Sequence, residues 1–502
     1  MPMALDDTRT SPSRMATAET TAKMAPSDST KFEENLDHNT TSMEKSSGSR
    51  DRSSSNSFSA GDDSADVPAL RKTGAAGIIQ DVFAVDRSKH HVYITGLRGV
   101  LVIQSFMWTF FQTFIPTLVS RDTPGPVYQD LLREILSVPL WNQSLVYNFF
   151  IILSMRTIAV SFLTNPTGQS YAATIIRRNV RMVVILCAGS GLATLIFSRI
   201  GVEYINEFKQ KLPNESIVTP TTVYDGGAAF NSLFNLFWLT YDHYKQAGNM
   251  FWPTATLWVP SIIYFQSYTV YFLMVILPFA RPKWHISGLG LFALGSFWMG
   301  YWGWYSVTGL IFADLAINAT LKVELKAGLK VRDDWRIPYA AIAPMLFAIG
   351  IAFKYAFIVR PQYMDKLLVL HPYLDISTRY SPSTTVEAGP YARLDDWFVI
   401  TGILLALELF ENAQYYLSFK PLVYLGERSF SIFVAQCIFF WTGGIKLWLV
   451  LHDERGLSTA SANGVVFLVG FLAVSVFAEM FFRLIDAPSI WLAKKTYTWL
   501  VD

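Results

Sequence analysis

YITGLRGVLVIQSFMWTFFQTF, residues 93–114, decides the fold. It holds a single charged side chain, Arg98, near its start. At about 1.5 Å per residue, such a helix is long enough to cross roughly 30 Å of hydrocarbon. One apolar run of this length would be weak evidence, but the pattern recurs along the chain. Further stretches of the same character lie at 143–163, 181–200, 254–280, 286–302, 303–320, 338–359, 396–414, 422–450 and 463–483, the first one extending over 93–119. All should be helical, because a helix satisfies its own backbone groups in lipid. The segment YWGWYSVTG at 301–309 reads as a tight aromatic turn between two spans or as an interfacial bend, and counting two spans there gives ten. The expected fold is therefore all-α, a polytopic transmembrane bundle of about ten spans.

Upstream of this stretch the character reverses. Residues 1–78 are rich in Ser, Thr, Asp, Lys and Arg, as in SSGSRDRSSSNSFSAGDDSAD at 46–66. A segment of this kind buries too little apolar surface to offset its ordering entropy, so a disordered tail is expected. It lacks the apolar core of a secretory signal and carries the acidic residues a transit peptide avoids. The first span is expected to serve as an uncleaved targeting signal, and residues 79–502 form the membrane domain.

The composition agrees. The chain is 51% hydrophobic and 16% charged, with a mean hydropathy of +0.29; soluble domains carry about 25% charged residues. A net charge of +2 gives no reason to expect nucleic acid. Two cysteines, Cys187 and Cys437, exclude a disulfide framework or a cysteine-built zinc site. No repeat of fixed period is visible.

Charge placement orients the bundle. With the tail cytosolic, Arg177, Arg178 and Arg181, then Arg281 and Lys283, Lys322 through Arg336, Lys420 and Lys494–Lys495 all fall in cytosolic breaks. The opposite breaks, 201–253 and 360–394, are longer and less basic. Asn214-Glu215-Ser216 lies in the first of them and reads as a glycan acceptor on the far side of an endomembrane or plasma membrane.

Polar residues inside spans mark bundle interiors or wet cavities. Arg98, Ser105, Thr109 and Gln112 share one face of the first span by helical spacing. Glu408 is the best-embedded acid, and a proton, an acceptor hydroxyl or Lys354 are its expected partners. Arg156 sits in the second span, and Glu479–Arg483 form an i,i+4 pair. His243, in WLTYDHYKQAGNMFW at 238–252, lies in a loop that can fold over a cavity mouth.

TGLRGVLVIQSFMW at 95–108 resembles the opening of the acyltransferase-3 family of membrane acyltransferases, in particular its fungal members. Four more segments look like family landmarks in the expected order: IIRRNVRM at 175–182, TLWVPSIIYFQSY at 256–268, PLVYLGERSFSIFVAQ at 421–436 and RLIDAPS at 483–489. The resemblance covers about residues 90–500. It implies transfer of an acyl group from acyl-CoA, without a metal, to a hydroxyl of a membrane lipid, a glycan or a small secondary metabolite. Arg98, Arg177, Arg178 and Arg181 would then hold the donor's phosphates, since guanidinium presents a planar fork of donors.

Activating a hydroxyl also needs a general base. Where the family places His in the first span this chain has Thr109, and where it places an acid before Gly-Leu-Arg-Gly it has Thr95. Ile263 stands for a glutamate and Gln436 for a closing His. The sequence thus supports two expectations. One is an O-acyltransferase using Arg98, Thr109, Glu408 and His243; the other is a non-catalytic relative acting as a lipid or metabolite carrier or scaffold.

Overall fold

A computed structural model describes residues 89–121, 123, 125–214, 217–223, 225–239, 243, 246–332, 335–360, 362–363 and 390–501. The expected tail, 1–78, lies outside the described residues. The chain divides into two units, Met1–Arg71 and Lys72–Asp502, and every described residue belongs to the second.

The first helix, α1, spans Lys89–Phe114. It stops where Pro116 opens a short 3-10 turn, since proline offers no N–H to continue the ladder. An amphipathic helix α2, Val127–Leu140, follows and leaves Val127, Tyr128, Leu131 and Ile135 exposed. Next comes α3, Gln143–Thr164, whose N-terminus is capped by Asn142 accepting from the Leu145 amide.

The next helix corrects an expectation. The Arg-rich stretch at 175–182 was expected in a break, yet α4 runs unbroken over Gly168–Ile200. Only residues 165–167 turn the chain, and Thr167 caps the new helix by accepting from Ser170 N. Between Gln169 and Ala188 no Gly or Pro interrupts, and arginine is a good helix former. The arginines therefore sit on a rigid helix.

After α5, Glu203–Lys211, and α6, Gly226–Trp238, the chain enters α7, Trp258–Ile276. Two shorter apolar helices follow, α8 at Pro282–Trp298 and α9 at Gly303–Ile317. The break between them lies at 299–302, with Gly300 at φ +66°, while residues 303–309 of the aromatic segment already belong to α9. From α9 the chain bends by 97° into α10, Ala319–Ala327. A small antiparallel ribbon, β1 Leu329–Arg332 and β2 Trp335–Ile337, interrupts the otherwise helical fold.

The remaining elements are α11 Tyr339–Val359, α12 Leu394–Leu409, α13 Lys420–Glu427, α14 Ser429–Glu454, α15 Thr459–Phe481 and α16 Ala487–Val501. A π-helical turn, Phe482–Asp486, joins the last two. Among the described residues seven helices are long and apolar enough to cross a membrane, or eight if the bent α9–α10 pair is one span. The apolar segments read at 286–302, 303–320 and 396–414 form helices of 17, 15 and 16 residues.

The Gly-Leu-Arg-Gly element has a packing reason. A methyl on Gly96 would lie 1.6 Å from the Leu417 carbonyl oxygen, and one on Gly99 2.0 Å from that of Leu422. From the other side, a methyl on Gly426 would lie 1.7 Å from the Thr95 oxygen. So α1 and α13 touch backbone to backbone, as small residues allow in membrane helices. Further along α1, Phe106, Phe110 and Phe114 pack against Phe440 at ring distances of 5.3, 5.7 and 6.0 Å. Glycines at one end and aromatics at the other fix α1, and with it Arg98.

Candidate functional site

A cavity of about 930 Å³ opens between α1, α3, α4, α7, α14 and α16. Its outer end is polar, where Asn165, Gln169, Lys494 and Tyr497 meet, and the Tyr497 hydroxyl donates to the Gln169 carbonyl at 3.1 Å. Its inner end reaches Tyr147, about 27 Å back along α3. Apolar side chains close that end, among them Phe150, Val259, Ile263 and Phe433.

All four arginines singled out in the sequence line this one cavity. Arg98 donates to Thr157 Oγ1 at 2.5 Å. Arg178 donates to Ser154 Oγ at 2.5 Å and Ser267 Oγ at 3.2 Å. The Arg177 guanidinium lies 4.8 Å over the Tyr497 ring. Arg181 alone meets a carboxylate, placing Nε and one terminal nitrogen 3.0 and 2.8 Å from Asp486 Oδ1. Asp486 is fully buried, turned inward by the π-helical turn, and also accepts from Ser431 Oγ at 3.3 Å.

Hydroxyls satisfy an arginine's donors without neutralising its charge. Among the described residues no carboxylate stands within 4.0 Å of Arg98, Arg177 or Arg178, and Arg98 also feels repulsion from Arg178, Arg181 and Arg156. An uncompensated charge in a membrane interior costs several kcal/mol. The described lining includes no Asp, Glu or His at all. The described lining therefore carries net positive charge, from Arg98, Arg177, Arg178, Arg181 and Lys494.

The four residues read as catalytic are not brought together. Only Arg98 lines the cavity. Thr109 is fully buried, and its hydroxyl donates back to the Ser105 carbonyl at 2.9 Å. Gln436 donates to Ser105 Oγ at 2.8 Å, and the Tyr147 hydroxyl faces Ser105 and Thr109. Ser105, Thr109, Tyr147 and Gln436 thus make a neutral polar cluster just behind the inner end. Arg98 and the rest of the expected stripe part company there, and among the described residues nothing donates to the buried Gln112 side-chain oxygen.

Glu408 is engaged elsewhere. It lies 2.6 Å from Arg156 and accepts from the Tyr93 hydroxyl at 2.7 Å, with Lys322 at 3.7 Å. The expected Glu408–Lys354 pair does not form. Lys354 instead meets Asp396 and, at 3.2 Å, Asp395, two carboxylates the sequence reading passed over. The Glu479–Arg483 pair does form, at 2.6 Å, and Arg428 joins it at 2.5 Å.

His243 is also placed away from the arginines. It is buried, with Nδ1 3.3 Å from Ser261 Oγ near the start of α7, so it does not cover the polar mouth. Asn214, read as a glycan acceptor, packs against the end of α1. It is 3% exposed and its side-chain nitrogen donates to the carbonyls of Gln112 and Thr113 at 2.7 and 3.2 Å, closing the end of α1. The other two residues of the sequon, 215 and 216, lie outside the described residues.

The hydroxyls that seat the arginines were missed, although a signal existed. Ser154, Thr157, Ser161 and Thr164 recur at three- and four-residue steps along the second span, the mark of a polar helical face. Among the described residues no cluster of three His, Cys, Asp or Glu side chains can hold a metal ion. Compared with protein-family models, with curated proteins and with solved structures, the chain matches none.

Proposed function

We propose that the cavity binds a phosphate-bearing acyl donor of the acyl-CoA class, and that the protein is a membrane O-acyltransferase of the acyltransferase-3 type. The observation that carries this reading is the set of Arg98, Arg177 and Arg178 in one cavity with, among the described residues, no carboxylate beside them. A donor's phosphates would supply the missing charge. Its thioester arm would then run along α3 toward Tyr147 and the Ser105–Thr109–Gln436 cluster. In this reading the bundle has ten spans, counting α8, α9 and α12 as short ones, and its tail and cavity mouth face the cytosol. It resides in an endomembrane or the plasma membrane among lipids.

Transfer requires that the acceptor hydroxyl lose a proton as it attacks the thioester carbonyl and the donor thiol leaves. With no carboxylate or imidazole in the described lining, this chain contributes anion binding, orientation and exclusion of water. The acceptor, a lipid, glycan or small-molecule hydroxyl, would have to bring or recruit the base. That same observation favours the second reading, a non-catalytic relative that carries or scaffolds an anionic lipid or metabolite.

The two readings separate in one experiment. Purified full-length protein in proteoliposomes is given acyl-CoA labelled in the acyl group, with membrane lipids and a panel of glycan and small hydroxylated acceptors. Label appearing in an acceptor supports the enzyme. Donor binding without transfer to any acceptor supports the carrier, and no donor binding removes the enzyme.

A further inference from the structure

The helix α6 has no role in the cavity, yet its surface is unlike that of a loop in water. Phe230, Phe234 and Trp238, four residues apart, are 67, 51 and 57% exposed and form one face. Their rings stack along the helix at 6.1 and 5.9 Å. Asn231 and Asn235 form the adjoining exposed edge. A helix with an aromatic face beside an amide edge matches the boundary between lipid chains and headgroups.

The position of α6 points the same way. Phe237 and Trp238 reach Tyr264 at ring distances of 4.9 and 6.2 Å. Tyr264 lies about 9 Å inside α7 from its first residue, Trp258. Beyond it Tyr268 and Phe272 are exposed, 38 and 63%, on the outward face of a helix apolar enough to span the membrane. The aromatic face of α6 is therefore continuous with the lipid-facing side of α7. This end of α7 is also the end away from the polar cavity mouth, because Trp258 packs on Tyr147 at 5.7 Å.

The backbone is finished for a dry setting as well. Helix ends in lipid need partners for their last carbonyls. Ser261 Oγ donates to the Leu236 carbonyl at 2.7 Å, and Gln246 Nε2 to that of Leu239 at 2.8 Å. Asn249 accepts from the Trp258 amide at 3.2 Å. Gln246 and Asn249 are themselves buried. At the other end Thr221 N meets the Met250 carbonyl at 3.0 Å, tying the start of the segment to a residue ahead of α7.

We propose that the described residues 225–239 and 246–255 belong to a re-entrant segment seated in the leaflet opposite the cavity mouth. Lipid chains cover Phe230, Phe234 and Trp238, and Asn231 and Asn235 face headgroups and water. The inference is independent of what the cavity binds.

The test uses full-length protein in lipid vesicles, with Cys187→Ala so that the buried Cys437 is the only native thiol. Spin labels are placed singly through Phe230→Cys, Phe234→Cys, Trp238→Cys, Asn231→Cys and Asn235→Cys. The expected result is a reversal within one helical turn. Collisions with oxygen exceed those with a water-soluble nickel chelate at 230, 234 and 238, and fall below them at 231 and 235. Nickel access at all five sites means water surrounds the helix, and exclusion of both reagents at 230 and 234 means protein covers the face; either overturns the proposal. Should one aromatic replacement fail to fold, the other two sites decide.

Discussion

Replacing Lys354 by Met should be among the most damaging single changes in the membrane domain, and its cost follows from charge balance. Lys354, Asp395 and Asp396 have side chains only 1, 2 and 0% exposed. The ammonium meets both carboxylates and also donates to Asn142 Oδ1 at 2.9 Å and Ser144 Oγ at 2.8 Å. Arg393, 2.8 Å from Asp395 and 3.6 Å from Asp396, supplies the second cation. Two cations thus face two anions, and removing Lys354 leaves one buried carboxylate uncompensated. Breaking a buried pair in this way costs about 3–5 kcal/mol.

The companion change tests the reasoning. Adding Asp396→Asn restores the charge balance, and Asn148, which now donates to Asp396 Oδ2 at 2.7 Å, keeps an amide oxygen to bond. Equilibrium unfolding of the parent, both single variants and the double variant in mixed detergent micelles gives the cycle. The double variant should recover most of the loss, so that the two costs are strongly non-additive. A Lys354→Met variant within about 0.5 kcal/mol of the parent, or a double variant whose loss is the sum of the singles, would refute the argument.

Three further outcomes follow from the same geometry. Gly99→Ala pushes a methyl into the Leu422 carbonyl, 2.0 Å from it, and neither backbone can yield without parting α1 from α13; a loss of at least the about 1–3 kcal/mol typical of overpacking should appear as a lower thermal midpoint in detergent. Asn214→Gln should leave electrophoretic mobility and glycosidase sensitivity unchanged, because the native nitrogen is buried against α1. Asp486→Asn strips Arg181 of its carboxylate and adds to the cavity's positive charge, so binding of inorganic pyrophosphate should tighten while stability falls; weaker pyrophosphate binding would contradict the charge account.

The sequence carried the positions of the apolar segments well, because hydrocarbon thickness and backbone satisfaction are strict constraints. It also singled out the arginines that line the cavity, since ionisable residues within membrane segments are costly and stand out. It went astray where partner choice depends on which helices pack. Glu408 and Lys354 are both buried and opposite in charge, yet each has a nearer partner, in Arg156 and Asp396. Asp395 and Asp396 lie at the first turn of α12, at the edge of the expected 396–414 segment, and were not singled out.

Helix continuity was misjudged for a similar reason. Arg177, Arg178 and Arg181 resemble a break in hydropathy, but helix propensity continues through them, and neighbouring hydroxyls accept what lipid cannot. The seat of α6 was invisible because 13 residues broken by asparagines fall below any spanning criterion. Only the ring contacts to Tyr264 reveal its depth.

The central claim is that Arg98 and Arg178 are anion ligands. Its most direct test is calorimetric titration of CoA into the purified, reconstituted protein, beside Arg98→Ala, Arg178→Ala and the double variant. Charged hydrogen bonds contribute about 1.5–3 kcal/mol each, so each single change should weaken binding by roughly ten- to a hundred-fold. Affinity should also fall as salt rises. CoA binding that is unchanged in the double variant, or that the parent protein lacks altogether, would contradict the account.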